Sequence, residues 1–427
     1  MIMKDYGDEF VGVRRGQGAG EPSEITVNCP DKIGLGCDFA RIVFEFGLTV
    51  VRGDLSTDGR WCFVVLWVVP RSTSIYGEVN WKLLKQRLAA ACPSHHGVLL
   101  PPEPIVDKAP EIFLLQVSAV DRTGLLNLVT QKLWELELTI HKVKVSTSPE
   151  GKAVNLFWIY DKSGKQPLDK DRREVICEKI RLSLGQGTLV ELKLAGPECS
   201  GLDCAPHLPA LVPKDLFDEG QYDLVSSGGK NLFKTLSCPT LPTMTKLELE
   251  NTVSPVHTSM QIECRDRKGL FYDCMRTLKD NNMQVAFGRI STLEKGACEI
   301  SLFILKDGRK IEEQHKQDAL CDSLLRELTN PLRVSVVTRG PDTELLVATP
   351  IEACGRGRPR VLFDVTHALM EKPFGICIFK ADIGRHVVEK RPWEVYRFLL
   401  IEKPDLQLTD TKVRKDITEK VKNILMG

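Results

Sequence analysis

The sequence lacks the short motifs that mark the common catalytic and nucleotide-binding sites. No GxGxxG pattern stands between a predicted strand and a predicted helix, and GxxxxGKS/T, GxSxG and HExxH do not occur. We therefore expect a protein that is not an enzyme and that has no cofactor.

Long apolar runs and a strong charge of either sign are also missing. The longest apolar run, residues 61–69, is about half the length of a membrane-spanning helix and predicts a buried strand. The net charge of +1 gives no general attraction to nucleic acid or to an anionic membrane. Because Lys4, Asp8 and Glu9 stand near the N-terminus, we expect no signal peptide. The expected location is the cytoplasm, with the nucleus left open.

No CxxC pair occurs among the 14 cysteines. Several cysteines alternate with apolar residues, where a free thiol packs as a small hydrophobic group. This predicts a reducing compartment without a disulfide framework. The nearest approach to a metal site is Cys199, Cys204 and His207, for which no fourth ligand can be identified.

One six-residue pattern recurs three times, each time after an alternating apolar run and before a helical pattern. The copies are residues 31–36 (DKIGLG), 121–126 (DRTGLL) and 266–271 (DRKGLF). A Ser-Thr pair follows 22 residues after each turn glycine, at Ser56-Thr57, Ser146-Thr147 and Ser291-Thr292. A strand-to-helix turn used at fixed offsets indicates internal repeats.

The strand before each turn has the same apolar face. Apolar residues stand two, four and six positions before each Asp: Ile25, Val27 and Cys29; Leu115, Val117 and Ala119; Met260, Ile262 and Cys264. Alternation with period two predicts a strand with one buried side.

These repeats divide the chain into units of the order βαββαβ. We predict a disordered lead at 1–22, unit one at 23–107, unit two at 111–195, a flexible Pro-rich linker at 196–254, unit three at 255–340 and unit four at 341–427. The last strand of unit one is predicted at 98–100 and that of unit three at 332–337. Unit four is degenerate, since Arg360 stands where the other units have the turn glycine.

The predicted fold class is α+β: four tandem ferredoxin-like units, each with a four-stranded antiparallel sheet and two helices on one face. The bare sheet faces and edge strands need partners. The linker position suggests that units one and two pair, and that units three and four pair.

Asp-x-x-Gly-Leu-Leu/Phe on the first turn of a βαββαβ unit resembles the ACT domain, a small amino-acid-binding regulatory module. Tandem copies with a long central linker are similar to the plant ACT domain repeat proteins. The resemblance implies a regulatory amino-acid sensor in which ACT domains pair within the chain, with a homodimer or a regulated enzyme as a further partner. It covers residues 23–427 apart from the linker.

The chemistry of the turn suits a free amino acid. A helix N-terminus offers unpaired N–H groups and favours a carboxylate, a glycine permits close approach, and an Asp can accept from an ammonium group. The candidate ligand-binding residues are Asp31, Gly34, Leu35, Asp121, Arg122, Gly124, Leu125, Asp266, Arg267, Gly269 and Leu270.

Three other interpretations stay open. In the first, each Asp is simply an N-cap and each Gly a tight turn. In the second, the chain is a protein-interaction scaffold without a ligand. In the third, it binds RNA, since the RNA recognition motif shares this strand order, although its full aromatic signature is absent.

Overall fold

The structure, a computed structural model, describes residues 10–18, 20–71, 78–93, 111–161, 168–196, 205, 208–210, 212–217, 223–227, 231–238, 241–293, 296–402 and 406–427. In these ranges no helix is long and apolar enough to cross a membrane. The predicted strand at 98–100 and the candidate metal ligands Cys199, Cys204 and His207 lie outside the described residues. Within them, no group of three or more His, Cys, Asp or Glu side chains is placed to hold a metal ion.

The first half of the chain contains two repeats. Repeat 1 consists of β1 (Val11–Arg14), β2 (Ser23–Pro30), α1 (Leu35–Glu45), β3 (Leu48–Thr57), β4 (Trp61–Pro70) and α2 (Trp81–Ala91). Repeat 2 consists of β5 (Phe113–Val120), α3 (Leu125–Glu135), β6 (Leu138–Thr147), β7 (Lys152–Asp161), α4 (Lys170–Leu184) and β8 (Leu189–Leu194).

The second half contains two more. A 3-10 turn (Lys214–Phe217) is followed by β9 (Asp223–Ser227) and β10 (Asn231–Cys238). Repeat 3 consists of β11 (Leu241–Glu250), β12 (Thr258–Arg265), α5 (Leu270–Asp280), β13 (Met283–Thr292), β14 (Ala297–Lys306) and α6 (Gln314–Thr329). Repeat 4 consists of β15 (Arg333–Arg339), β16 (Asp342–Pro350), α7 (Val361–Met370), β17 (Ile378–Val388), β18 (Arg391–Leu400) and α8 (Thr411–Met426).

The predicted α+β, ferredoxin-like class is confirmed. In repeat 2 the strands run in the order β8-β5-β7-β6, which is the expected arrangement of a βαββαβ unit. The apolar positions before the turns are all buried: Ile25, Val27, Cys29, Leu115, Val117, Ala119, Met260, Ile262 and Cys264.

The chain forms two compact units, and the repeats in them alternate along the sequence. One unit joins repeats 1 and 3 in a ten-stranded sheet of order β1-β2-β4-β3-β13-β14-β12-β11-β10-β9. The other joins repeats 2 and 4 in an eight-stranded sheet of order β15-β16-β18-β17-β6-β7-β5-β8. The suggested pairing of one with two and three with four is therefore wrong. Each repeat offers the same free edge strand, so proximity in sequence does not decide its partner.

Within each unit the two repeats are connected by an antiparallel pair of edge strands. Gly53 of β3 lies opposite Ile290 of β13, and Val145 of β6 lies opposite Ala381 of β17. Helices on one face of each sheet then bring the first helix of one repeat beside the first helix of its partner. In the unit of repeats 2 and 4 one apolar cluster spans both repeats, from Leu115 and Leu133 to Val347 and Phe398.

In repeats 3 and 4 the edge strand next to the first strand precedes it in sequence, whereas the predicted order βαββαβ places that edge strand at the end of the repeat. The strand predicted at 332–337 to close unit three is β15, which pairs with β16 of repeat 4. In repeat 3 the corresponding place belongs to β11, which pairs with β12. A preceding hairpin strand runs antiparallel to the first strand, as a closing strand does, so either can fill this edge.

Part of the predicted flexible linker is folded. Strands β9, β10 and β11 extend the sheet of repeats 1 and 3, and Val212, Leu216 and Phe217 pack against Trp393 and Val395 on the sheet of repeat 4. Pro242, one of the prolines that suggested a linker, is the second residue of β11, and proline is tolerated at the start of a strand.

The predicted disordered lead is likewise ordered in part, because β1 pairs with β2 with Val11 opposite Val27.

Candidate functional site

Each predicted turn places its glycine in the left-handed region directly before the first helix. The φ angles are 80° at Gly34, 86° at Gly124 and 77° at Gly269. In repeat 4, Arg360 takes the same conformation with φ 64°. A non-glycine residue is strained there, yet this turn keeps its backbone conformation although its sequence differs. Leu35, Leu125 and Leu270 are the first helical residues and are buried in the core.

The turn Asp residues are held by the hairpin and do not cap the helix. Oδ2 of Asp31 accepts from Thr57 Oγ1 at 2.6 Å, and Oδ2 of Asp121 accepts from Thr147 Oγ1 at 3.0 Å. The N-cap residues of α1, α3 and α5 are Gly34, Gly124 and Gly269, which have no side chain to cap the helix. The Asp residues are therefore not N-caps, whereas the glycines do form the tight turn that the same interpretation expected. In repeats 1 and 2 the fixed offset of the Ser-Thr pair reflects the Asp–Thr hydrogen bonds.

The third Asp is also tied to its hairpin. The amide of Asp266 donates to the carbonyl oxygen of Gly296 at 2.7 Å. Burial raises the pKa of the Asp266 carboxyl above its ordinary value, and the positive charge of Arg71 partly opposes this.

The two candidate arginines are bound to their own repeats. Arg122 donates from Nη2 to the carbonyl oxygen of Leu184, at the end of α4. Arg267 is buried and donates from Nη1 to Asp273 at 2.5 Å and from Nη2 to the carbonyl oxygen of Glu327 at 2.9 Å. These bonds tie each turn to the end of the second helix of its repeat.

Every turn faces the partner repeat, and one helix position meets it each time. That position is the tenth residue of the partner's first helix: Lys279 at turn 1, Met370 at turn 2, Phe44 at turn 3 and Trp134 at the turn of repeat 4. Cε of Lys279 lies 2.7 Å from the place that a Cβ on Gly34 would take. Sδ of Met370 lies 2.6 Å from the corresponding place at Gly124. The tenth residue is therefore the partner repeat's contribution to each turn.

Turn 3 is filled by aromatic side chains. Phe44 and Tyr272 lie with ring centroids 5.6 Å apart, and the cavity left beside Asp266 is about 20 Å³. That volume holds a water molecule but not an amino acid.

Turn 2 is almost as full. Met370, Thr366 and Asn127 leave a cavity of about 30 Å³. Asn155 lines it with 1% of its surface exposed, and its Oδ1 has no hydrogen-bond partner in the described part of the chain. A bound water would satisfy this atom.

Turn 1 is different, because it borders a cavity of about 700 Å³ between repeats 1 and 3. Here the second helix residue is Gly36, whereas Leu126 and Phe271 occupy that position at turns 2 and 3. Ligand pockets in proteins commonly have volumes of about 300–1,000 Å³. Of these three turns, turn 1 alone has room for a small molecule.

The walls of this cavity combine charged and apolar groups. Asp31, Asp58, Lys32 and Lys279 supply charges of both signs. The apolar wall is formed by Leu55, Val64, Met275, Leu278, Val285 and Leu305. Cys62 also lines the cavity, and burial raises the pKa of its thiol to about 12, so it stays protonated at neutral pH. A molecule with an ammonium, a carboxylate and an apolar side chain matches these walls.

Comparisons with known proteins agree on the repeats. Residues 13–93 match a family described as "ACT domain-containing protein ACR10, N-terminal". Residues 246–342 match "ACR9-like, ACT-like domain", and residues 343–427 match "ACT domain-containing protein ACR9, C-terminal". ACT domain-containing protein ACR9 of Arabidopsis thaliana is 43% identical over 423 residues, covering 98% of this chain and 98% of that protein. The chain belongs to the ACT domain-containing protein family.

Two further relatives show a high and a low level of sequence identity. ACT domain-containing protein ACR10 of Arabidopsis thaliana is 41% identical over 420 residues, which cover 96% of this chain and 97% of that protein. The bifunctional uridylyltransferase/uridylyl-removing enzyme of Azospirillum brasilense is 24% identical over 228 residues, covering 53% of this chain and 21% of that enzyme. Family membership thus rests on relatives that match nearly end to end.

Sequence reasoning found the ACT turns but missed the residues opposite them. Lys279 and Met370 lie in another repeat, more than 240 residues from the glycines they cover. No local pattern signals such a contact. Thr57 and Thr147 were visible as part of the repeated Ser-Thr pair, although their bonds to Asp31 and Asp121 were not foreseen.

Proposed function

We propose that this ACT repeat protein is a non-catalytic, cytoplasmic sensor that binds a free amino acid at turn 1. The observation that carries the proposal is the cavity of about 700 Å³ beside Gly34 and Gly36, with both carboxylate and ammonium groups on its walls. Turns 2 and 3, by contrast, have space for water only. The proposal therefore narrows the candidate ligand residues to Asp31, Gly34 and Leu35.

Binding at this place would couple two repeats. The cavity takes Asp31, Gly34 and Gly36 from repeat 1, and Met275 and Lys279 from repeat 3. A ligand that touches both sides favours the geometry in which both sets of contacts are made. Such a population shift is the basis for a regulatory signal to a partner enzyme.

A thermal-shift screen of the full chain against the twenty amino acids tests the proposal. A ligand at 100 times its Kd adds about 2.7 kcal/mol to the free energy of unfolding. We expect stabilisation by at least one amino acid, and a flat response to all twenty would contradict the proposal.

Gly36→Leu places at turn 1 the residue type that fills turn 2. A Cβ on Gly36 would lie 2.5 Å from Cε of Met275, so this flexible side chain must move into the cavity. We expect the variant to fold and to lose the amino-acid shift. Leu126→Met is the control at the equivalent position of turn 2. It conserves the side-chain volume there and should keep the amino-acid shift.

The alternative is a scaffold that pairs with proteins and binds no ligand. The filling of turns 2 and 3 favours it, because two of the three turns have no space for an amino acid. A chain of this kind would give no shift in the screen, and Gly36→Leu would not change its ligand response.

A further inference from the structure

Asp38, in the first turn of α1, contacts two lysines at the edge of the turn-1 cavity. One carboxylate oxygen lies 3.2 Å from Nζ of Lys32, and the other lies 3.1 Å from Nζ of Lys279. Lys32 comes from the turn itself, whereas Lys279 comes from repeat 3. The Asp38 carboxylate thus already joins the two repeats at this edge.

The position of Lys279 is filled differently at the other turns. Phe44, Trp134 and Met370 are the equivalent tenth residues, and none of them carries a charge. The methylene groups of Lys279 cover Gly34, and its ammonium reaches the rim. A lysine stem packs on apolar surface while its ammonium moves among several acceptors.

We propose that Lys279 is the specificity-determining residue of the turn-1 site, exchanging Asp38 for the α-carboxylate of an amino acid with an aliphatic side chain. This inference rests on the proposed function. The exchange replaces one carboxylate by another, so Lys279 keeps an ion pair. Asp38 keeps its contact with Lys32, so no carboxylate is left without a cation.

The aliphatic class follows from the rest of the cavity. Leu55, Val64, Leu278 and Val285 supply apolar wall beyond the charged rim. A charged or amide side chain would lose hydrogen bonds to water against this wall, whereas an aliphatic one gains from burial.

The test uses L-leucine, L-isoleucine, L-valine and L-methionine with the full chain, together with the amide of each, in which the carboxylate is blocked. We expect at least one of the four to bind and its amide to bind about tenfold to a hundredfold more weakly, the loss typical of a hydrogen bond between charged groups. In Lys279→Gln the affinity for the amino acid should fall by a similar factor, and the affinity for the amide should change little. Lys279→Arg should restore much of the affinity.

Two further variants separate recognition from structural support. Lys132→Gln removes a lysine of α3 that is paired with Glu135 and does not line the turn-1 cavity, so it should leave affinity unchanged. Asp38→Asn removes the competitor for Lys279, so affinity should rise. If the ion pair only supported the fold, Asp38→Asn would weaken binding or leave it unchanged.

Each contrary result has a distinct meaning. Equal binding of acid and amide, unchanged affinity in Lys279→Gln, or weaker or unchanged binding in Asp38→Asn would overturn the role of Lys279. Binding of another amino acid but none of these four would overturn the aliphatic class. Failure of all twenty amino acids to bind would overturn the proposed function itself.

Discussion

Alanine substitution at the tenth helix position should cost much more stability at turn 3 than at turn 1. Phe44 and Lys279 hold equivalent places in α1 and α5, each against the turn of the partner repeat. Phe44 fills its turn, whereas Lys279 covers the rim of an open cavity. The pair therefore compares a buried aromatic residue with a partly exposed lysine at the same position.

The expected magnitudes follow from burial. Phe44 is 4% exposed, and replacing a buried Phe by Ala costs about 3–5 kcal/mol. The Lys279 side chain is 23% exposed, and partly exposed ion pairs contribute about 0–1 kcal/mol. Phe44→Ala should thus lower the free energy of unfolding by roughly 2–5 kcal/mol more than Lys279→Ala does.

Urea unfolding followed by circular dichroism measures both variants on the full chain, with wild type as the reference. A similar small cost for the two variants would refute the conclusion that Phe44 packs turn 3. A similarly large loss of stability in both variants would refute the conclusion that Lys279 borders open space at turn 1.

Two more predictions concern single side chains. Asn127 is buried and donates from Nδ2 to the carbonyl oxygen of Phe363 at 3.0 Å and to Thr366 Oγ1 at 3.1 Å, joining repeats 2 and 4. Asn127→Ala should cost about 1–3 kcal/mol in urea unfolding, and no change would contradict a role in this join. The raised pKa of Asp266 means that its contribution to stability is fully present below its unfolded value of about 3.8 and is lost as pH rises through the folded value. Asp266→Asn should therefore remove a fall in melting temperature that wild type shows as pH rises from about 4 toward neutrality; parallel pH curves for the two proteins would contradict this.

The local structure of each repeat was predictable because its cause is local. A glycine between an alternating run and a helical stripe predicts a left-handed turn, and Gly34, Gly124 and Gly269 all adopt one. The alternation itself predicted which strand residues are buried. Arg360 broke the pattern in sequence, yet the fold keeps the left-handed turn there.

The arrangement of the repeats was not predictable in this way. Pairing of β3 with β13, and of β6 with β17, depends on edge strands that look alike in all four repeats. The strand β15 could close repeat 3 or open repeat 4, since both places require the same antiparallel direction.

The candidate site shows the same limit. Sequence predicted one half of it, the turn, in three equivalent copies. The other half comes from the tenth helix residue of a distant repeat, and that residue, together with Gly36 at turn 1, makes the copies unequal. Hydrophobic Phe44 and cationic Lys279 occupy equivalent positions, but the cavities at their turns have volumes of about 20 Å³ and 700 Å³.

Isothermal titration calorimetry of the full chain with the amino acid that gives the largest thermal shift tests the central claim most directly. We predict one molecule bound per chain in wild type and none in Gly36→Leu, because turn 1 is open and turns 2 and 3 are filled. A stoichiometry of two or three, or a wild-type value that Gly36→Leu leaves unchanged, would contradict it.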